Sequence, residues 1–142
     1  MNEELKQCCV RLQEEVKNAE TCLSRIDEHL VSPELTPLSD WKALLQEAAE
    51  QFRAKREPAR QSGERVKAWM EEIENGAKTP LDESNLDGEI LRVENQADRE
   101  EGFALDALVV ANHAILQAEV AVLKAFTTRK TAVDLARLRN VF

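Results

Sequence analysis

The chain has 142 residues, 43% hydrophobic and 32% charged, with four Gly, four Pro, no Tyr and a formal net charge of −8. So few aromatic and β-branched residues beside so much Ala, Leu, Glu, Lys and Arg exclude a sheet protein and point to an all-α one. The acidic balance argues against non-specific nucleic-acid binding, and the length fits one domain, residues 1–142, whose core needs no metal or disulfide.

The charge is uneven. Residues 1–31 carry net −3, residues 32–76 net −2, residues 77–102 net −5 and residues 103–142 net +2. The odd cysteine count (Cys8, Cys9 and Cys22) does not make a disulfide framework. The start MNEELKQ lacks an apolar targeting segment, so a cytoplasmic protein is expected.

The first predicted helix covers residues 3–31. Leu5, Cys9, Leu12, Val16, Ala19, Leu23, Ile26 and Leu30 follow alternating steps of four and three, the pattern of a coiled-coil seam. Ser32 and Pro33 stop it, because the residue before a proline is pushed out of helical geometry. Thr36 is a suitable cap, with Pro37 at the first helical position.

The second series reads Trp41, Leu45, Ala48, Phe52, Lys55, Ala59, Ser62, Val66, Trp69 and Ile73, and it keeps phase through Pro58. One helix over residues 37–75, kinked at Pro58, is expected; two separate helices are the alternative. Gly76 fits its stop.

The stretch AKTPLDESN is a turn, and Ser84 with Asp87 resembles a capping box. A third helix is expected over residues 84–127, in the series Leu86, Ile90, Val93, Ala97, Glu100, Ala104, Ala107, Ala111, Ala114, Ala118, Ala121 and Ala125. Its alternative has a hinge at residues 99–102. The seven alanines from Ala104 on read as a groove for a closely packed neighbour, so Ala114→Leu should overpack it by about 1–3 kcal/mol. A short C-terminal helix would carry Leu135, Leu138 and Val141 or Phe142. The fold class is thus an antiparallel bundle of three long heptad-patterned helices plus a short fourth.

The apolar stretch of residues 103–126 does not read as a membrane span. Its longest uncharged run is the twelve residues between Asp106 and Glu119, whereas a span takes about 20.

No catalytic constellation is visible, so a non-enzyme is expected. Cys8, Glu15, Cys22 and His29 lie seven apart, about 10.5 Å per step along a helix, too far to share one metal ion. Glu-x-x-His, the signature of carboxylate–metal bundles, is absent. No phosphate loop or nucleophile elbow occurs. Neither metal nor cofactor is therefore expected.

The first helix is the shortest of the three, so the hairpin beyond its end bares apolar surface; either a second copy covers it or the chain bends back at Pro58 and Gly102. Trp69, Met70, Ile73, Leu86 and Ile90, with the acids Glu100 and Glu101, are the expected partner-binding residues of a homodimer or of an adaptor, regulator or assembly factor. Arg53, Arg56, Arg60 and Lys67 would share a face of an unbroken helix, as an anion-binding patch or a contact for the acidic residues 82–101. Two alternatives stand beside the protein-contact reading: an acidic inhibitor or immunity-type protein that blocks a basic partner site, and a ligand- or metal-binding bundle using Asp106, Asn112, His113 and Glu119.

Overall fold

The computed structural model describes residues 3–76 and 80–141. Ala77, Lys78 and Thr79 of the expected turn, and Phe142 of the expected terminal stripe, lie outside the described residues. Four α-helices follow in order: α1 (Glu3–Val31), α2 (Leu38–Ala54), α3 (Arg56–Asn75) and α4 (Leu86–Val141). Short 3-10 turns, Pro33–Leu35 and Glu83–Asn85, precede α2 and α4.

The expected short C-terminal helix does not exist as such. The helices expected at 84–127 and near the C-terminus are one helix of 56 residues, the longest in the chain. Neither Pro nor a turn residue stops it after Phe126. The hydroxyls of Thr127 and Thr131 donate to the carbonyls of Leu123 and Thr127 at 2.7 and 2.8 Å, which satisfies them inside the helix. Gly102 forms no hinge.

The helix expected at 37–75 is two helices, and they part at Lys55 rather than at Pro58. Pro58 has no N–H to give the Ala54 carbonyl, and its ring crowds that carbonyl, so the break falls three residues before the proline. Within α3, Pro58 is the third residue, where the missing N–H has no intrahelical partner to lose. Two caps also differ. Pro37 rather than Thr36 is the N-cap of α2. At the last turn Asp82 accepts from the Ser84 N–H, and Asn85 Oδ1 accepts from the Gly88 N–H at 3.3 Å, so Asn85 does the capping expected of Ser84.

The helices form two compact units: Met1–Val16 with Pro58–Val110, and Lys17–Glu57 with Ala111–Phe142. We call them the α3 unit and the α2 unit. Each is built from three helical stretches, because α1 and α4 contribute to both.

In the α2 unit, Trp41 meets Phe126 edge to face at 5.2 Å, and Phe52 stacks on His113 at 4.3 Å. Rising numbers on α2 thus meet falling numbers on α4, and the two run antiparallel. Trp41, Ala48 and Leu123 form the core, with Leu44, Leu45, Val120 and Phe126 against it. Each large side chain fully buried here contributes about 1.5–3 kcal/mol.

In the α3 unit, α3 and α4 are antiparallel too: Trp69 stacks on Phe103 at 5.6 Å, and Arg99 reaches Glu72 at 2.7 Å. Cys8, Arg11 and Leu12 of α1 approach Asp98, Glu101, Gly102 and Leu105 of α4. The buried residues in this unit are small: Cys8, Ala59 and Ser62.

Two expected seams are rotated. On α1 the buried or half-buried positions are Cys8, Leu12, Glu15, Ala19, Cys22, Arg25, Ile26 and His29, whereas Leu5, Cys9, Val16, Leu23 and Leu30 are exposed. On α4, Leu116, Glu119, Leu123 and Thr127 are buried, whereas Ala111, Ala114, Ala118, Ala121 and Ala125 are exposed. At 100° per residue the alanine stripe lies nearly opposite the packed face. Bulk decides this: Leu116, Leu123 and Phe126 remove more apolar area from water than alanines can.

By length and composition alone, one helix could cross a membrane. The stretch Glu83–Val141 holds an 18-residue window of mean hydropathy 1.4, of which 11% is buried.

Candidate functional site

The α3–α4 pair carries the most distinctive surface. In the α3 unit, α3 and α4 enclose an open groove of about 770 Å³. It is lined by Trp69, Glu72, Ile73 and Gly76 from α3 and its end, and by Arg92, Asn95, Gln96, Arg99, Glu100 and Phe103 from α4. The helices fix this arrangement: Trp69 and Ile73 are one turn apart on α3, and Phe103, Arg99, Gln96 and Arg92 are successive turns of α4.

The charges in the groove are organised. Arg99 pairs with Glu72 and lies 6.0 Å from the centre of the Phe103 ring. Arg92 pairs with Glu89 at 2.7 Å, and Gln96 donates to Glu100 at 2.9 Å. Each of these groups is held by a neighbour, which shapes the groove and offers a partner mixed apolar and charged contacts. Nothing in it resembles a nucleophile with a base.

Of the seven residues expected to bind a partner, Trp69, Ile73 and Glu100 line this groove. Met70, Leu86 and Ile90 are exposed on the same helix pair. Glu101 points elsewhere: it pairs with Arg11 at 3.8 Å and stands beside Cys8. Burial and the Glu101 charge both push the Cys8 thiol up. Leu81, Leu91 and Val93 add to the exposed apolar surface here.

The expected basic patch is split, because its residues share a face only if the helix is unbroken. Arg53 ends on α2, and Arg56, Arg60 and Lys67 lie on α3. Arg56 lies 5.5 Å from the centre of the Phe52 ring, and Arg60 pairs with Glu64 at 2.6 Å. The ion pairs that do join α3 to α4 use Arg65 and Arg99 instead.

Of the four polar residues of the expected ligand site, Asp106, His113 and Glu119 are engaged by different neighbours. Asp106 accepts from both Arg65 nitrogens at 2.8 Å and from Ser62 at 3.0 Å. The Arg65 hydrogen bonds hold its carboxyl below the usual range, burial opposes them, and Ser62 adds to the lowering. His113 Nε2 lies 3.1 Å from the Phe52 carbonyl. Asn112 is half-buried beside it in the chain.

Glu119 is buried and accepts from Arg25 at 3.1 and 3.3 Å, with His29 Nε2 at 3.7 Å and the His29 ring edge-on to Trp41. Cys22 lies in the same surroundings. Burial raises its thiol first and Glu119 second, while Arg25 and Lys55 oppose them. Among the described residues, no group of three or more His, Cys, Asp or Glu side chains could hold a metal ion.

Arg25 and Arg65 were missed as site-forming residues. Their partners lie 94 and 41 positions away in the chain, and no local spacing signals such pairs.

No protein-family model, curated protein sequence or solved structure matches the chain.

Proposed function

We infer that this all-helical protein works by binding other proteins, as an adaptor, regulator or assembly factor, and that the α3–α4 face is its contact surface. One observation carries the reading: a groove lined by Trp69, Ile73 and Phe103 on a helix pair that also exposes Met70, Leu86, Ile90, Leu91 and Val93. So much exposed apolar surface on one helix pair is costly unless a partner covers it. Aromatic side chains beside mixed polar ones are also common features of helix-binding grooves.

The test is affinity purification of the full chain from its source cells beside an Ile73→Glu variant of unchanged helicity. Proteins retained by the parent should be lost or strongly reduced on the variant. An identical retained set with both would sink the reading.

The acidity of this face favours, as a second reading, a partner that presents a basic surface, including the target of an inhibitor. Residues 71–101 carry eleven acidic and three basic side chains, a net −8 equal to that of the whole chain. Such binding should weaken as salt rises. Capture that does not change with salt would remove it.

We also infer that α4 works as a packing helix in water rather than as a span. Both acids inside its apolar stretch, Asp106 and Glu119, are held by arginines from other helices. Flotation with neutral vesicles should leave the protein at the bottom of the gradient.

A further inference from the structure

We propose that the α3–α4 face is occupied by the C-terminal end of α4 from a second copy of this chain. The inference rests on the reading of that face as a contact surface and names its occupant.

Two observations converge. The first is the end of α4 itself. Residues 135–141 are all exposed, and Leu135, Leu138 and Val141 are 60%, 54% and 77% accessible at helical spacing. This helix end therefore has an apolar side with nothing packed on it. Covering that side would remove its apolar area from water and so stabilise the helix end.

The second is charge. Residues 128–141 carry Arg129, Lys130, Arg137 and Arg139 against Asp134, net +3. Residues 71–101 carry net −8. Each stretch interleaves exposed apolar residues with a net charge, and the net charges are opposite in sign. A basic amphipathic helix laid on an acidic apolar face buries both apolar surfaces and pairs the rims. If both copies do this reciprocally, the assembly closes as a two-fold dimer with two equivalent contacts.

The experiment uses the purified full-length chain. Its mass is measured by sedimentation over a wide concentration range, at low and at high salt. Two exposed-site charge reversals are compared with it: Arg137→Glu with Arg139→Glu, and Glu71→Arg with Glu94→Arg. All four positions are exposed, so folding, checked by circular dichroism, should be unaffected.

The parent should self-associate with concentration and loosen with salt. Either variant alone should associate about tenfold more weakly or worse. An equimolar mixture of the two should associate again, because the unaltered tail of the second variant then meets the unaltered face of the first.

Several results would overturn the proposal. A parent that stays monomeric at high concentration would do so, as would a dimer that ignores both reversals or a mixture that stays apart. Flotation of a monomeric parent with phosphatidylserine vesicles, lost on reversal at Arg137 and Arg139, would assign the tail to lipid instead. None of these results decides the Ile73→Glu retention test, so the broader reading and the named occupant fail separately.

Discussion

At Asp106 three groups from two helices meet. Arg65 and Ser62 of α3 reach across to one carboxylate of α4, which is mostly buried, whereas Arg65 is half exposed. The interaction makes the stability of the protein depend on pH. The folded pKa of Asp106 lies below its unfolded value, so the stabilisation is complete above about pH 5 and is lost as pH falls through about 4 and below. Asp106→Asn should therefore lower the melting temperature at pH 7 by several degrees and flatten its decline between about pH 5 and 3. Parallel melting curves for parent and variant across that range would show that the ion pair contributes nothing. Ala114 is a residue-scale correction. It is exposed, so Ala114→Leu should change stability by less than about 0.5 kcal/mol. A loss of 1–3 kcal/mol in a denaturant titration would restore the buried-seam reading.

Among the elements, the α2–α3 series was the most legible. Trp41, Ala48, Ala59 and Ser62 are buried and Leu45, Phe52, Val66 and Trp69 half-buried, whereas Lys55 and Ile73 of the same series are exposed. Aromatic residues on a single stripe leave little choice of face. The α1 series was ambiguous, because two adjacent stripes both keep the four-three rhythm. Only contact with the rest of the chain selects the one holding Cys8, Cys22 and His29 over the one holding Val16, Leu23 and Leu30. Alanine suits either side of a helix, so the α4 stripe misled. Helix ends were readable where proline acts. The break at Lys55 was offset because a proline's effect falls on the carbonyl four residues earlier. Gly102 gives the element-scale prediction. It sits inside α4, exposed, and a Cβ there would meet nothing within 4 Å. Gly102→Ala should therefore raise stability by about 0.5–1 kcal/mol. A drop instead would mean that α4 is hinged there in solution. Gly63→Ala makes a useful companion, since its Cβ would rest in ordinary contact, 3.8 Å from Val110.

For the molecule as a whole, the two units differ in what fills them. The α2 unit buries Trp41, Leu116 and Leu123, whereas the buried residues of the α3 unit are Cys8, Ala59 and Ser62. The sequence offers no view of this contrast, because Leu86, Ile90 and Val93 look as core-forming as Leu116 and Leu123. Their positions around α4 decide which are covered. Amide exchange follows the apolar surface that holds a stretch closed. Residues 38–54 and 113–127 should thus exchange slowly, and residues 70–76 and 86–100 orders of magnitude faster. The proposed dimer sharpens the expectation: raising protein concentration should slow exchange at 86–100 and at 130–141 together, and leave 38–54 unchanged. Protection that appeared at only one of the two stretches would show that they do not cover one another. Uniform protection at every concentration would place the α3–α4 pair in a core as firm as that of Trp41 and Leu123, and the groove would then be a surface that needs no partner.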